Sequence, residues 1–231
     1  MGDEEGGPQC KVVYTDVDPE EETNWIKRAG PCRVTYVNSE TFQGTFDAEK
    51  NKQGAGTYVW MKPGEEEGNP VEKARYEGNW KDNQKHGLGK MVFPSGDIYE
   101  GEWFENKMQG EGTYTYKKTD DIYSGSWLDG KKHGKGRYEY AADRSILLGQ
   151  WDAGQLTTGK WELKGAAVYE GEFKLGRPFG AGQFTFESGL VQTGNYAVLK
   201  VPGEEEEVAA EGEAPKAPNV SWVGDSIVSF V

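Results

Sequence analysis

The chain is poor in the residues that usually build a core. Leu, Ile, Val and Phe make up about 17% of its 231 residues, and the formal net charge is −13. Those two features alone describe disordered chains, so a conventional aliphatic core is excluded. Cysteine is nearly absent. Cys10 and Cys32 lack CxxC spacing and fit free thiols in a reducing compartment. No run approaches the roughly 18 apolar residues of a membrane span. The opening MGDEEGGPQ is acidic and lacks the apolar stretch of a signal peptide, so a cytosolic protein is expected. Without secretion, the sequon Asn219-Val220-Ser221 is chemically idle.

What is present argues against disorder. Aromatic residues reach 13%, and glycine contributes 33 positions. Disordered chains are poor in aromatics, so the core here must be rings packed against glycine. The charge is also localised. Residues 1–24 carry a net −7 and residues 203–213 a net −6, which leaves the remainder neutral. The acidic balance belongs to the ends and says little about what the body binds.

A repeat organises the body. YEGNW at 76–80, YEGEW at 99–103, YSGSW at 123–127, LLGQW at 147–151 and YEGEF at 169–173 place their central glycines 23, 24, 24 and 22 residues apart. A fixed period of this size marks a repeat array. Within a unit the residues alternate at period two: Tyr99, Gly101 and Trp103 share one face, and Glu100 and Glu102 the other. Five residues after each pentad glycine stands Asn83, Asn106, Gly130, Gly154 or Gly176, residue types that tolerate positive φ. A return segment follows, with Gly-x-Gly at 87/89, 110/112, 134/136 and 180/182, decaying to Thr157/Gly159 in the fifth unit. Each unit therefore reads as a β-hairpin. Glycine normally weakens a strand, so its recurrence beside large rings suggests rings lying over bare backbone in a bent sheet. FQGTF at 42–46 with Gly54/Gly56 is a degraded first unit, and TGNY at 193–196 a closing half unit.

Four regions result. Residues 1–35 form an acidic N-terminal segment and 36–198 the array, with a Pro/Gly-marked loop insert at 62–75. Residues 199–218 read as an acidic Pro/Glu-rich linker. The apolar segment 219–231 either folds back as a cap or docks elsewhere.

Tyr-x-Gly-x-Trp followed by Gly-x-Gly at this period resembles the MORN repeat. The resemblance is strong in units two to four and six, and weaker in unit five, where Leu147 replaces Tyr, and in unit one, where Phe42 and Phe46 stand in. It implies an all-β fold, an elongated twisted antiparallel β-meander of stacked hairpins. Such arrays occur in membrane-junction proteins, lipid kinases, lysine methyltransferases, parasite cytoskeletons and radial spoke heads. This chain looks most like the small stand-alone radial spoke proteins, an analogy of architecture and acidic tails.

Catalysis finds little support. His86 and His133 occupy equivalent turns, and equivalent positions in a repeat are separated in space. Gly154-x4-Gly159-Lys160 imitates a phosphate loop, but Trp161 replaces the hydroxyl residue that would hold Mg²⁺. Asp120 and Asp121 lack a spaced carboxylate set. No serine sits in a nucleophile elbow. The expectation is a protein with no enzymatic activity and no cofactor.

Two surfaces remain. Tyr76, Trp80, Tyr99, Trp103, Tyr114, Tyr123, Trp127, Tyr138, Trp151, Tyr169 and Phe173 define an aromatic face. It is read either as internal packing or as a groove for a partner segment. Lys131, Lys132, Lys135 and Arg137, with Lys117 and Lys118 nearby, form a small basic patch suited to acidic headgroups or acidic tails, or simply a solvated turn. The near balance of charge over residues 76–140 excludes a nucleic-acid footprint. The expected role is a scaffold subunit of a cytoplasmic, cytoskeletal assembly. The radial spoke head of a motile ciliary axoneme is the assembly expected, with other spoke-head subunits or a second copy of the chain as partners. The alternative is a peripheral adaptor on anionic phospholipid, with membrane contact otherwise not expected.

Overall fold

The computed structural model describes residues 10–17, 20–64, 69–198 and 220–229. The linker 199–218 lies outside them. Two compact units divide the chain at Lys118/Thr119. Every regular element among the described residues is a strand.

The first unit holds β1 (Lys11–Tyr14), β2 (Glu21–Thr23), β3 (Gly30–Thr35), β4 (Thr41–Phe46), β5 (Lys52–Lys62), β6 (Val71–Lys81), β7 (Gln84–Val92), β8 (Ile98–Phe104) and β9 (Lys107–Thr115). β1 lies between β2 and β3, antiparallel to both. From β3 to β9 each strand pairs antiparallel with the next. The second unit holds β10 (Ile122–Leu128), β11 (Lys131–Glu139), β12 (Ile146–Asp152), β13 (Gln155–Leu163), β14 (Ala167–Lys174), β15 (Arg177–Phe186), β16 (Leu190–Val198) and β17 (Val220–Ser229). These too pair antiparallel in chain order. The expected all-β antiparallel meander is present in both units.

A ladder of facing glycines runs across the strands. In the first unit Gly44, Gly56, Gly78, Gly89, Gly101 and Gly112 stand opposite one another in succession. In the second the row is Gly125, Gly136, Gly149, Gly159, Gly171, Gly182, Gly194 and Gly224. Residues of the pentad type lie across this row. A Cβ placed on Gly112 would come within 2.6 Å of the Tyr99 ring, and one on Gly101 within 2.5 Å of the Gly112 Cα. Any larger residue would separate the strands or lift the ring.

Beside the ladder the return strand bulges. Gly101 faces Gly112 but Trp103 faces Met108, so the return strand holds two surplus residues, with Gly110 at φ +62°. The same arrangement recurs at β6–β7 and β10–β11. At β12–β13 only Thr157 is surplus, which matches the shorter spacing of the fifth unit. Bulges bend and twist a strand pair and re-aim side chains.

The hairpin turns are two residues long with positive φ at both: Asp82-Asn83, Glu105-Asn106, Asp129-Gly130, Ala153-Gly154 and Leu175-Gly176. This is the type I′ geometry that matches strand twist. The turns also tie to the preceding hairpin. Asn83 Oδ1 accepts from the Lys52 amide at 2.8 Å and Asn106 Oδ1 from the Lys85 amide at 2.9 Å.

The structure shortens one expected region, adds strands to another and selects between two readings of a third. The insert is shorter than 62–75: β5 runs through Lys62 and β6 begins at Val71, because Ala74 is buried opposite Trp60 and extends the ladder pairing. The acidic segment 1–35 carries three strands, in which Val12, Tyr14, Cys32 and Val34 are buried. The segment after 219 does not dock elsewhere; it pairs with β16 as β17.

Opposite substitutions test this architecture. Gly112→Ala drives a methyl into the Tyr99 ring and should cost about 3 kcal/mol or prevent folding. Leu175→Asn relieves a bulky residue at φ +51° and should add about 1 kcal/mol. Urea denaturation of both variants measures the two effects, and loss of stability on Leu175→Asn would contradict the turn geometry.

Candidate protein-interaction surface

Nine of the eleven sequence-derived aromatic candidates are core residues. Tyr76, Tyr99, Tyr123 and Tyr169 are fully buried, and Trp80, Trp103, Trp127, Trp151 and Phe173 nearly so. Each pentad ring pair meets edge to face: Tyr76 and Trp80 at 5.1 Å, Tyr99 and Trp103 at 5.2 Å, Tyr123 and Trp127 at 5.2 Å. The tyrosine hydroxyls donate to the carbonyls three residues on, Asn79, Glu102, Ser126 and Glu172. The indole N–H groups of Trp80, Trp103 and Trp151 donate to the ladder carbonyls of Gly56, Gly89 and Gly136. With polar ends satisfied, each fully buried ring contributes about 2–3 kcal/mol. A groove built from these nine rings is therefore corrected to internal packing, since they have no open surface to offer.

The same face carries a second, half-exposed row. It comes from positions i and i+2 of the return strands: Tyr58 and Trp60 on β5 at 4.6 Å, Tyr114 and Tyr116 around the end of β9 at 4.6 Å, Tyr138 and Tyr140 around the end of β11 at 4.7 Å. Phe93 stacks on Tyr114 at 5.7 Å, and Phe184 on Phe186 at 6.1 Å. Only Tyr114 and Tyr138 of this row were among the candidates. The rest were legible as alternating rings in the return segments, which the pentad motif overshadowed. Carboxylates fix the row. Tyr58, Tyr114 and Tyr138 donate to Glu40, Asp97 and Asp121 at 2.6, 2.9 and 2.8 Å. Asp121, considered above for metal, is occupied in this way and also accepts from the Ala141 amide. Unit five departs from the pattern: Trp161 stands at the tyrosine position and its buried indole N–H has no partner among the described residues.

The basic patch does not hold together. Lys132 lies over aromatic rings, its Nζ 4.6 Å from the Trp151 centroid and 4.7 Å from that of Tyr138. Arg137 is held by Glu139 at 2.7 Å. Lys131 and Lys135 are exposed. The reason is period-two alternation: the bulge holds two surplus residues and so keeps parity, which leaves Lys132 on the side of Gly136 and Tyr138 and puts Lys131, Lys135 and Arg137 on the other. Lys85 repeats the arrangement at 4.2 Å from Trp103, and Lys52 sits 5.3 Å from Tyr58. Met108, Leu156 and Pro178 take the equivalent register positions elsewhere. Lysine stems thus serve as apolar filler with a charged tip over ring faces.

The remaining polar candidates are accounted for locally. His86 packs on Phe104 at 5.3 Å, and His133 lies 3.5 Å from Asp152. Gly154 to Lys160 spans a hairpin turn and β13, not a strand-to-helix junction. No cluster of metal-binding side chains occurs among the described residues.

Titration follows from burial. Desolvation brings Lys85 and Lys132 down to about 8 and pushes the Tyr169 hydroxyl up to about 12, with Tyr76 and Tyr99 raised in the same way. Unfolded lysine titrates near 10.4, so between about pH 8 and 10 the unfolded chain holds more protons and stability rises with pH. Unfolded tyrosine ionises near 10, so above that the unfolded chain loses protons first and stability falls. The urea midpoint should therefore climb modestly from pH 8, peak near 10 and then drop. Lys85→Met with Lys132→Met, copying Met108, should flatten the climb and leave stability at pH 7 intact. A climb that persists in the double variant would exclude these lysines as its source.

Comparison with known proteins agrees with the repeat geometry. The family model described as MORN repeat matches residues 76–98, 99–120, 123–142 and 169–191. These are units two, three, four and six; units one and five are unmatched, yet each forms a hairpin with a facing glycine pair. No curated protein matches the chain. The chain carries MORN repeats, four of them matched in sequence, which point to a protein-interaction or membrane-binding role.

Proposed function

We propose that this protein is a non-enzymatic scaffold that binds other proteins through the half-exposed aromatic row of its return strands. The observation that carries this reading is the division of labour among the rings. The pentad rings are consumed by packing, while Tyr58, Trp60, Tyr114, Tyr116, Tyr138 and Tyr140 keep one side open and are held rigid by carboxylates and neighbours. Rigid, part-exposed aromatics are the side chains that dominate protein interfaces. MORN repeats are in general non-enzymatic elements, which supports the scaffold reading.

The assembly we propose is the radial spoke head of a ciliary axoneme, with other spoke-head subunits as partners. This rests on the resemblance to small stand-alone spoke proteins. Detergent-extracted axonemes should retain the protein, and crosslinking mass spectrometry should join the return strands to spoke-head neighbours. Complete release by detergent would end the axonemal assignment. Trp60→Ala with Tyr116→Ala should weaken partner capture at least tenfold with little loss of stability; unchanged capture would remove the aromatic row from the interface.

A second reading is peripheral attachment to anionic phospholipid. It is favoured by Lys135, Arg137 and Lys160, which line one trough over Gly136, Gly149 and Gly159 on the face opposite the rings. Glu139 and Glu170 partly neutralise it, at 2.7 Å from Arg137 and 3.2 Å from Lys160. Flotation with vesicles containing phosphatidylserine, against neutral vesicles, decides it: equal recovery excludes lipid binding.

A further inference from the structure

The last strand is attached differently from the others. β16 and β17 are antiparallel neighbours, and Val198 faces Val220. Five comparable pairs are joined by two-residue turns, and β4 and β5 by five residues. Here about twenty residues, 199–219, intervene. Loop-closure entropy makes this connection roughly 30-fold weaker than a two-residue turn. β17 is nevertheless closely fitted. Trp222 stands two residues before Gly224 and reproduces the Tyr-x-Gly pattern of the pentads. Gly224 extends the ladder opposite Gly194, and a Cβ on Gly194 would lie 2.7 Å from the Trp222 ring. The indole meets Phe184 edge to face at 5.0 Å and Tyr196 at 5.2 Å, and its N–H donates to Gln192 Oε1 at 3.1 Å. Beyond this anchor the strand is lightly held: Val223 is 54% exposed and Ile227 65%.

We infer that β17 is a self-supplied, displaceable strand, and that the seat beside β16 accepts an extended partner segment bearing an aromatic-x-glycine triplet. The ladder dictates the occupant. A residue larger than glycine opposite Gly194 would run into the Gln192 carboxamide, whose carbon lies 2.9 Å from a Cβ built on Gly224, and would push it away from the Trp222 indole that it holds. The ring pocket of Phe184, Tyr196 and Gln192 asks for an aromatic two residues earlier with a donor at its edge. Strand addition supplies the main-chain bonds, and the triplet supplies the register. The tether keeps β17 at a high effective concentration, so a partner must compete against an intramolecular rival. This seat shares Phe184 with the end of the aromatic row but none of the six rings proposed above as the interface, so neither proposal depends on the other.

The test uses the full chain and a fluorescent peptide of residues 219–231 as probe. Trp222→Ala removes the anchor of the resident strand, so it should bind the peptide at least tenfold more tightly than the unaltered chain. A peptide carrying Gly224→Val should not bind. In the unaltered chain, hydrogen exchange of the β17 amides should run at least tenfold faster than that of β14 and β15. The idea is overturned by β17 amides as protected as those of β15, by peptide binding to neither chain, by binding indifferent to Trp222→Ala, or by equal binding of the Gly224→Val peptide. The exchange measurement stands even if the Trp222 variant fails to fold.

Discussion

The contact on which every repeat but the fifth rests is an aromatic ring lying on bare main chain. Tyr76, Tyr99, Tyr123 and Tyr169 each cover a pair of facing glycines and close the hydrogen bond of their hydroxyl on a carbonyl three residues away. A single-layer sheet has no second layer to cover it. The rings supply that cover from within the strands themselves, and glycine makes room for them. This is how a chain with so few aliphatic side chains escapes disorder. The tryptophans extend the principle between hairpins by bonding to ladder carbonyls of the preceding unit. Burial of the ring, closeness of the strands and satisfaction of the polar atoms are thus one arrangement seen three ways.

That arrangement also explains which surface is left over. Residues of the pentads face inward to the ladder, and those of the return strands share the same side at a greater distance from it. Tyr58, Tyr114 and Tyr138 are half-covered, and a carboxylate at the far turn orients each one. Lysines at 52, 85 and 132 fill the gap beside the pentad rings where other units use Met108 or Leu156. Charge at those positions is tolerated because ring faces attract cations, and it carries a desolvation cost that shows in the depressed basicity.

Much of the fold was legible because the repeat states its rules several times over. Period-two alternation fixed the strands, and Asn83, Asn106, Gly130, Gly154 and Gly176 fixed the turns. The residue missing from unit five was readable from its shortened spacing, and it is absent from the bulge, not from the two-residue turn. The site was less legible. Sequence alternation shows which side a ring takes but not how deeply it sinks, so Tyr99 and Tyr114 looked equivalent though one is buried and the other half-exposed. Lys132 was grouped with Lys131 and Lys135 by closeness in sequence, although alternation back from Tyr138 puts it on the ring face and the other two on the opposite one. Strands β1 to β3 were missed because acids outnumber their few buried apolar residues, and because β1 pairs with β3 across the intervening β2.

The hairpin turns tied to the preceding return strand divide the two margins of each unit. On one side, five connections are two residues long, and bonds such as Asn83 to Lys52 leave no slack. On the other, the connections range from Lys164-Gly165-Ala166 to the stretch 63–70. Insertions and deletions of coding sequence can therefore accumulate along the second margin without disturbing register. There the molecule can acquire new loops while its framework stays untouched.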